Sequence, residues 1–276
     1  MNREPGKESL ALVLVRFSLP LILSGMLQQL YNWADAFIVG NVEGELALAA
    51  IGATGTVTNF YIMAMTGFTM GLSILFAHKY GSGETDSIHR ILSTFLIIVG
   101  CAFLVFTVVG ALFTAPLLSV LHTPGDITGL AKTYLQMIFI GIPFLAVYNV
   151  YFAVLRAIGD SKAPFWAILF SSVTNVLLDI LFVAVLRWGV EGAAAATVIS
   201  QILMMIFIIC YTVKKHEILR FRFDRHMVDL TTVKEGLQLG TPPMIQSSVG
   251  AFGSLFLQNF MNGFGTCLLY TSPSPR

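Results

Sequence analysis

The chain has 276 residues, of which 56% are apolar and 11% are charged, against roughly 25% charged in soluble domains. So little charge cannot cover the surface of a soluble protein this long, and several apolar runs exceed the ~18 residues that separate a membrane span from a buried core helix. A net charge of +1 excludes the basic bulk of a nucleic-acid binder, so the expected surroundings are a lipid bilayer.

Residues 1–9 are polar, and no small-residue cleavage pattern follows the first apolar run, which reads as a retained helix and not a signal peptide. Apolar stretches then run at about 15–40, 46–77, 91–114, 132–155, 164–187 and 190–213, and a seventh opens near 237. The expected fold class is all-α: a polytopic membrane protein. Lys and Arg fix the expected orientation, since cytoplasmic loops retain positive charge. With the N-terminus inside, thirteen of the 16 Lys/Arg fall on the cytoplasmic side, and only Lys132 and Arg187 lie in outer loops.

Residues 1–213 are read as a first six-helix lobe and 214–235 as a basic, amphipathic cytoplasmic connector, with lipid-headgroup anchoring as the alternative. Span 1 opens Phe17-Ser-Leu-Pro20 and span 7 opens Leu239-Gly-Thr-Pro242. Each carries a proline in its first turns and then a Gln/Ser-bearing apolar stretch, the weak internal similarity that transporter halves show. Residues 236–265 are therefore expected to begin a second lobe in the same orientation, cut short here. The tail 266–276, rich in Ser and Pro, is expected to be non-native.

Polar groups at membrane depth carry the functional signal, because an Asp at a span centre costs ~2.5–3.5 kcal/mol on insertion scales. Ser171, Asn175 and Asp179 in span 5 recur every four residues and share a helix face. Their hydroxyl, amide oxygen and carboxylate suit a hard cation, and the carboxylate alone suits a proton. Interhelical hydrogen bonding is the competing reading, but it ordinarily uses neutral Ser, Thr or Asn. Asp179 thus points to function, and Asn175 stays open between the two. In span 1, Gln28, Asn32 and Asp35 follow i, i+4, i+7 spacing. Asp35 is equally readable as an interfacial residue, since Gly40 and Asn41 close the apolar run and Tyr31 and Trp33 suit an aromatic belt.

The remaining features are weaker. Gly67 and Gly71 fit close helix packing, as do Ala193 to Ala196. Cys101, Cys210 and Cys267 read as packing residues, and the five His show no ligand spacing, so no structural metal is expected. No Walker A sequence, nucleophile elbow or zinc motif is present. A membrane-embedded enzyme, the reading from a different class, would need such a cluster, so the chain is not expected to be an enzyme or to hold a cofactor.

Taken together, Leu19-Pro20 with Asp35-Ala-Phe-Ile-Val-Gly40, Tyr80-Gly-Ser-Gly83, Leu155-Arg-Ala-Ile-Gly-Asp160-Ser-Lys162, and Asn175 with Asp179 resemble the multidrug and toxic compound extrusion (MATE) family of secondary transporters. The resemblance covers about 12–265. It implies twelve spans in two six-helix lobes, monomeric, in a bacterial inner membrane, exporting small cationic organic compounds in exchange for sodium ions or protons. By the same resemblance Asp35, Asn175, Asp179 and Thr197 would form the cation site, with Tyr134 beside it and Gln28, Asn32 and Ser171 in support. Pro20 would be the point at which span 1 bends. A lipid-linked oligosaccharide flippase of the same superfamily is the nearer rival. It ordinarily lines its cavity with Arg or Lys, which these spans almost lack.

Overall fold

In the computed structural model, residues 10–216, 219 and 230–262 are described. They form eight α-helices: α1 (Leu10–Val42), α2 (Glu45–Gly81), α3 (Thr85–Leu112), α4 (Thr114–Val120), α5 (Gly125–Ala157), α6 (Lys162–Asp179), α7 (Gly189–Lys215) and α8 (Leu230–Asn262). A π-helical turn, Ile180–Val185, continues α6. There is no strand among the described residues. In lipid only such internally bonded helices leave no backbone group unsatisfied. Six helices are long and apolar enough to cross a membrane: α1, α2, α3, α5, α6 with its π turn, and α7.

The helices outrun the expected apolar stretches at several ends. α5 begins at Gly125 and not near 132, and α7 ends at Lys215. Hydropathy marks the hydrocarbon core, whereas backbone hydrogen bonding continues the helix into polar turns beyond it. The short α4, with Pro116 in its first turn, is an addition to the expected elements. Residues 217, 218 and 220–229 of the expected connector lie outside the described residues, as does the whole 266–276 tail. The seven-residue α4 apart, successive helices antiparallel one another. The end that carries Lys79, Arg156, Lys162 and Lys215 is called the basic end below.

α5 is the central helix: it packs on α2, α3 and α7, while α6 bridges α7 to α1. Most of its apolar window is buried, 72% against 6% for α1, so α1 is a peripheral helix held chiefly by α6. The main core is built from Phe76, Phe95, Phe139, Leu72 and Leu135, all fully buried. A second, smaller cluster closes the end opposite the basic one, around Val39, Ala47, Tyr134, Ile138, Val183 and Val190. Ala193, Ala194 and Ala196 are fully buried, so the alanine run is the packing face expected of it. Cys101 and Cys210 correct another expectation: both are exposed and unpaired, lying on outward faces of α3 and α7.

At the basic end, two turns need glycine. Gly83 and Gly159 adopt φ of +80° and +84°, the left-handed region that a Cβ disfavours. Gly159 delivers Asp160, whose Oδ1 accepts the backbone N–H of Lys162 and of Ala163, each at 3.2 Å, securing the first turn of α6. Its Oδ2 lies 2.8 Å from Lys215 Nζ and 3.0 Å from His216 Nε2, and accepts the Tyr211 hydroxyl at 3.3 Å. Burial alone would raise this carboxyl, but the Lys215, His216 and Ala163 donors outweigh it and hold it at about 2. One side chain thereby ties the α5–α6 turn to the end of α7.

α8 is 33 residues long, as is α1, and each runs through its proline positions without interruption. Gln238, Thr241, Gln246, Ser247 and Ser248 make it less apolar than the six candidate spans. It lies along α2, where the Gly67 and Gly71 face receives it. A Cβ at Gly67 would sit 2.6 Å from Pro243 O and 2.8 Å from Met244 Cα, and one at Gly71 would sit 2.5 Å from Gly240 Cα. The two backbones meet directly, which only small residues permit.

Candidate cation site

Asp35, Asn175 and Asp179 are brought together where α1 crosses α6. All three are buried, at 9%, 2% and 0% exposure. The two carboxylates are within electrostatic range of each other, and Tyr134, on α5, is in range of both. Asp35 Oδ1, both Asp179 oxygens and both polar atoms of Asn175 have no hydrogen-bond partner in the protein. Each such group costs roughly 1–3 kcal/mol when left unpaired and buried, and the four oxygens among them offer unmet oxygen ligation at one place. A monovalent cation or a proton is the species that such a donor set fits.

The local fold explains the placement. α1 continues past Gly40 to Val42, which puts Asp35 two turns inside the helix and against α6, not at an interface. Asp179 is the last residue of regular α6, and the π turn begins at the next residue. π turns within helices occur often at functional sites. Here the wider turn leads into the left-handed Arg187, φ +54°, before α7 starts.

The other expected residues divide. Thr197 and Ser171 face one another across α6 and α7 in a small internal cavity of about 40 Å³, which Gln28, Tyr31, Ser172, Asn175, Ser200 and Gln201 also line. Ser171 Oγ donates to the Ser200 carbonyl at 3.0 Å and so joins the two helices. Asn32 is not brought to the cluster: it is exposed and donates to Gln29 Oε1 at 3.2 Å. Pro20 lies within α1, and Ser24 Oγ donates to its carbonyl at 2.7 Å.

Gln201 is a site residue that periodicity alone passes over. Its Oε1 is buried without a partner, and it stands four residues after Thr197 on the same face of α7. The spacing rule that isolates Asn175 and Asp179 would have isolated it too, had the polar residues after the alanine run not read as packing. Among the described residues no group of His, Cys, Asp and Glu has the form of a multi-ligand metal centre. The chain is thus a multi-pass membrane protein with a compact cluster of buried, unpartnered oxygens between its helices.

Comparison with known proteins identifies the class. The MatE family profile matches residues 20–181, and the chain belongs to this family of multidrug and toxic compound extrusion transporters. It is 32% identical over 252 residues to the "Probable multidrug resistance protein YpnP" of Bacillus subtilis (strain 168), covering 91% of this chain and 56% of that protein. Among solved structures it resembles the outward-facing conformation of a multidrug resistance MATE family transporter of the MOP superfamily. The TM-score is 0.79 at 26% identity, over 85% of this chain and 52% of the other. An inward-facing conformation of such a transporter matches with a TM-score of 0.75 at 25% identity, over 89% and 56% of the two chains. The chain spans about half the length of the relatives it matches.

Proposed function

We propose that this chain forms the first lobe, the connector and the opening helix of the second lobe of a cation-coupled antiporter that exports cationic, amphipathic compounds. The observation that carries the reading is the buried, unpartnered pair Asp35 and Asp179, with Asn175 beside them. In this reading the pair alternates between holding a coupling ion, sodium or a proton, and favouring a cationic cargo. One charge crossing 100 mV is worth about 2.3 kcal/mol, enough for more than tenfold accumulation. Coupling also requires that the ion bind the inward- and outward-facing states unequally.

Two further observations support the choice of cargo and place. Among the described residues the buried polar groups include two Asp but no Lys or Arg, a lining suited to cations and not to the anionic cargo of a lipid-linked oligosaccharide flippase. The relatives named above include a bacterial multidrug resistance protein, in keeping with a bacterial inner membrane. The concentration of Lys and Arg at one end favours an N-terminus in the cytoplasm. The test is dye efflux from vesicles holding the complete transporter, with sodium and pH varied independently. Asp179→Asn is expected to abolish the ion dependence of efflux, and undiminished, ion-dependent efflux would remove Asp179 from coupling.

A further inference from the structure

The cavity beside the carboxylates has a direction. α6 and α7 run oppositely, so the step from Asn175 to Ser172 and from Thr197 to Gln201 leads the same way, toward the basic end. The cavity thus extends the site on the side that the proposed orientation places nearer the cytoplasm. Its polar lining consists of neutral oxygen donors: Gln28, Tyr31, Ser171, Ser172, Asn175, Thr197, Ser200 and Gln201. About 40 Å³ exceeds the ~10–15 Å³ that a cavity needs to hold one water, so it has room for a water-sized species.

Three oxygens of its lining residues lack a protein partner although buried: Asn175 Oδ1, Ser172 Oγ and Gln201 Oε1. Gln201 is moreover seated by a second residue. Gly141, on the central α5, has no side chain where the Gln201 carboxamide oxygen lies, and a Cβ there would collide with that oxygen. A missing side chain on one helix and an unpaired carboxamide on another make a prepared place for an oxygen ligand. Carbonyl and hydroxyl oxygens ligate hard cations, whereas none of these groups readily takes up and releases a proton near neutral pH.

We propose that this chamber is a second, transient sodium position on the cytoplasmic side of the carboxylate pair. There Gln201 Oε1, Asn175 Oδ1 and the Ser172 hydroxyl receive the ion as it leaves Asp179. The proposal rests on the antiporter reading above and narrows its coupling ion to sodium. Asn175 is the shared ligand: it borders both the carboxylates and the chamber, and hands the ion between them.

The experiment uses the complete transporter in proteoliposomes and measures exchange of radiolabelled sodium across the membrane, with size-exclusion elution of each purified variant as the check on folding. Gln201→Leu keeps the bulk and removes the carboxamide. It is expected to slow sodium exchange about tenfold, the effect of ~1.4 kcal/mol on a barrier, with size-exclusion elution unchanged. Gly141→Ala displaces the same carboxamide from the other side and is expected to slow exchange in the same direction, which keeps the question answerable if Gln201→Leu fails to fold. Unchanged exchange in either folded variant overturns the chamber, as does wild-type efflux that responds to pH but not to sodium. Asp179→Asn, run alongside, separates the two levels. If it leaves ion dependence intact the antiporter reading fails, and if it abolishes it while Gln201→Leu does nothing, only the chamber fails.

Discussion

Replacing Gly71 with alanine tests whether α2 and α8 meet backbone to backbone. The added Cβ would stand 2.5 Å from Gly240 Cα, where carbon contacts ordinarily begin near 3.5 Å, and closer still to the Leu239 carbonyl. Both obstacles are main chain, so no rotamer change relieves them and α8 must withdraw by about 1 Å. Overpacking of this kind costs ~1–3 kcal/mol, and a gap of that width along the seam forfeits a quarter to a half of each contact's attraction. The gain in helix propensity, about 1 kcal/mol, offsets only part of it. Gly55 on the same helix has nothing within 4 Å of its Cβ position, so Gly55→Ala keeps the propensity gain alone. Gly240→Ala meets the Phe68 ring at 2.6 Å, and a ring can turn aside. Thermal unfolding of the purified transporter should therefore rank the variants: Gly71→Ala lowest by a few degrees, Gly240→Ala between, Gly55→Ala at or above wild type. A Gly71→Ala midpoint equal to that of Gly55→Ala would refute the direct seam.

Other expectations follow from the same geometry. Asp160→Asn removes the charge on which Lys215, His216 and Tyr211 converge and should lower stability by about 1–2 kcal/mol in chemical denaturation, the Lys215 share being small because that side chain is half exposed. Its folded carboxyl, at about 2, lies below the ordinary ~3.9. The stabilisation is thus fully present above the unfolded value and lost as pH falls toward 2, about 1 kcal/mol after solvent screening. A pH titration of the midpoint that does not differ between wild type and Asp160→Asn over that window would count against the clamp. Asp179→Asn, which removes a buried carboxyl without a protein partner, should abolish any thermal stabilisation that sodium gives the wild type. Phe76→Ala, at a fully buried ring, should cost about 3–5 kcal/mol, visible as loss of folded protein on size-exclusion.

The six spans were legible because hydrocarbon imposes length and apolarity together, and Asn175 and Asp179 because two polar residues four apart in such a span are costly. Asp35 was not decidable from spacing: whether it lies at an interface depends on how far α1 runs and what it packs on, and α6 supplies that answer from far along the chain. Asn32 shows the limit of counting by fours. It sits about 60° around the helix from Asp35, enough to turn it toward the exposed side. Gln201 escaped because serine and alanine around it read as packing, and its meaning depends on a glycine two helices away in sequence. Gly67 and Gly71 signalled close packing but not its partner, since only the assembled fold brings α8 to them.

That α1 leans on α6 has a consequence for how the helices are assembled. Chains emerge from the N-terminus at about 5–20 residues per second, so the helix bearing Asp35 enters the bilayer roughly 7–30 s before the residues around Asp179 are synthesised. For most of that interval α1 has neither its main neighbour nor the central helix that organises the core. Its acidic residue must be sheltered by the insertion machinery or by locally thinned, hydrated lipid. The carboxylate pair closes only once α6 has docked, and slow or faulty docking of α6 would leave a carboxylate stranded in the membrane during biogenesis.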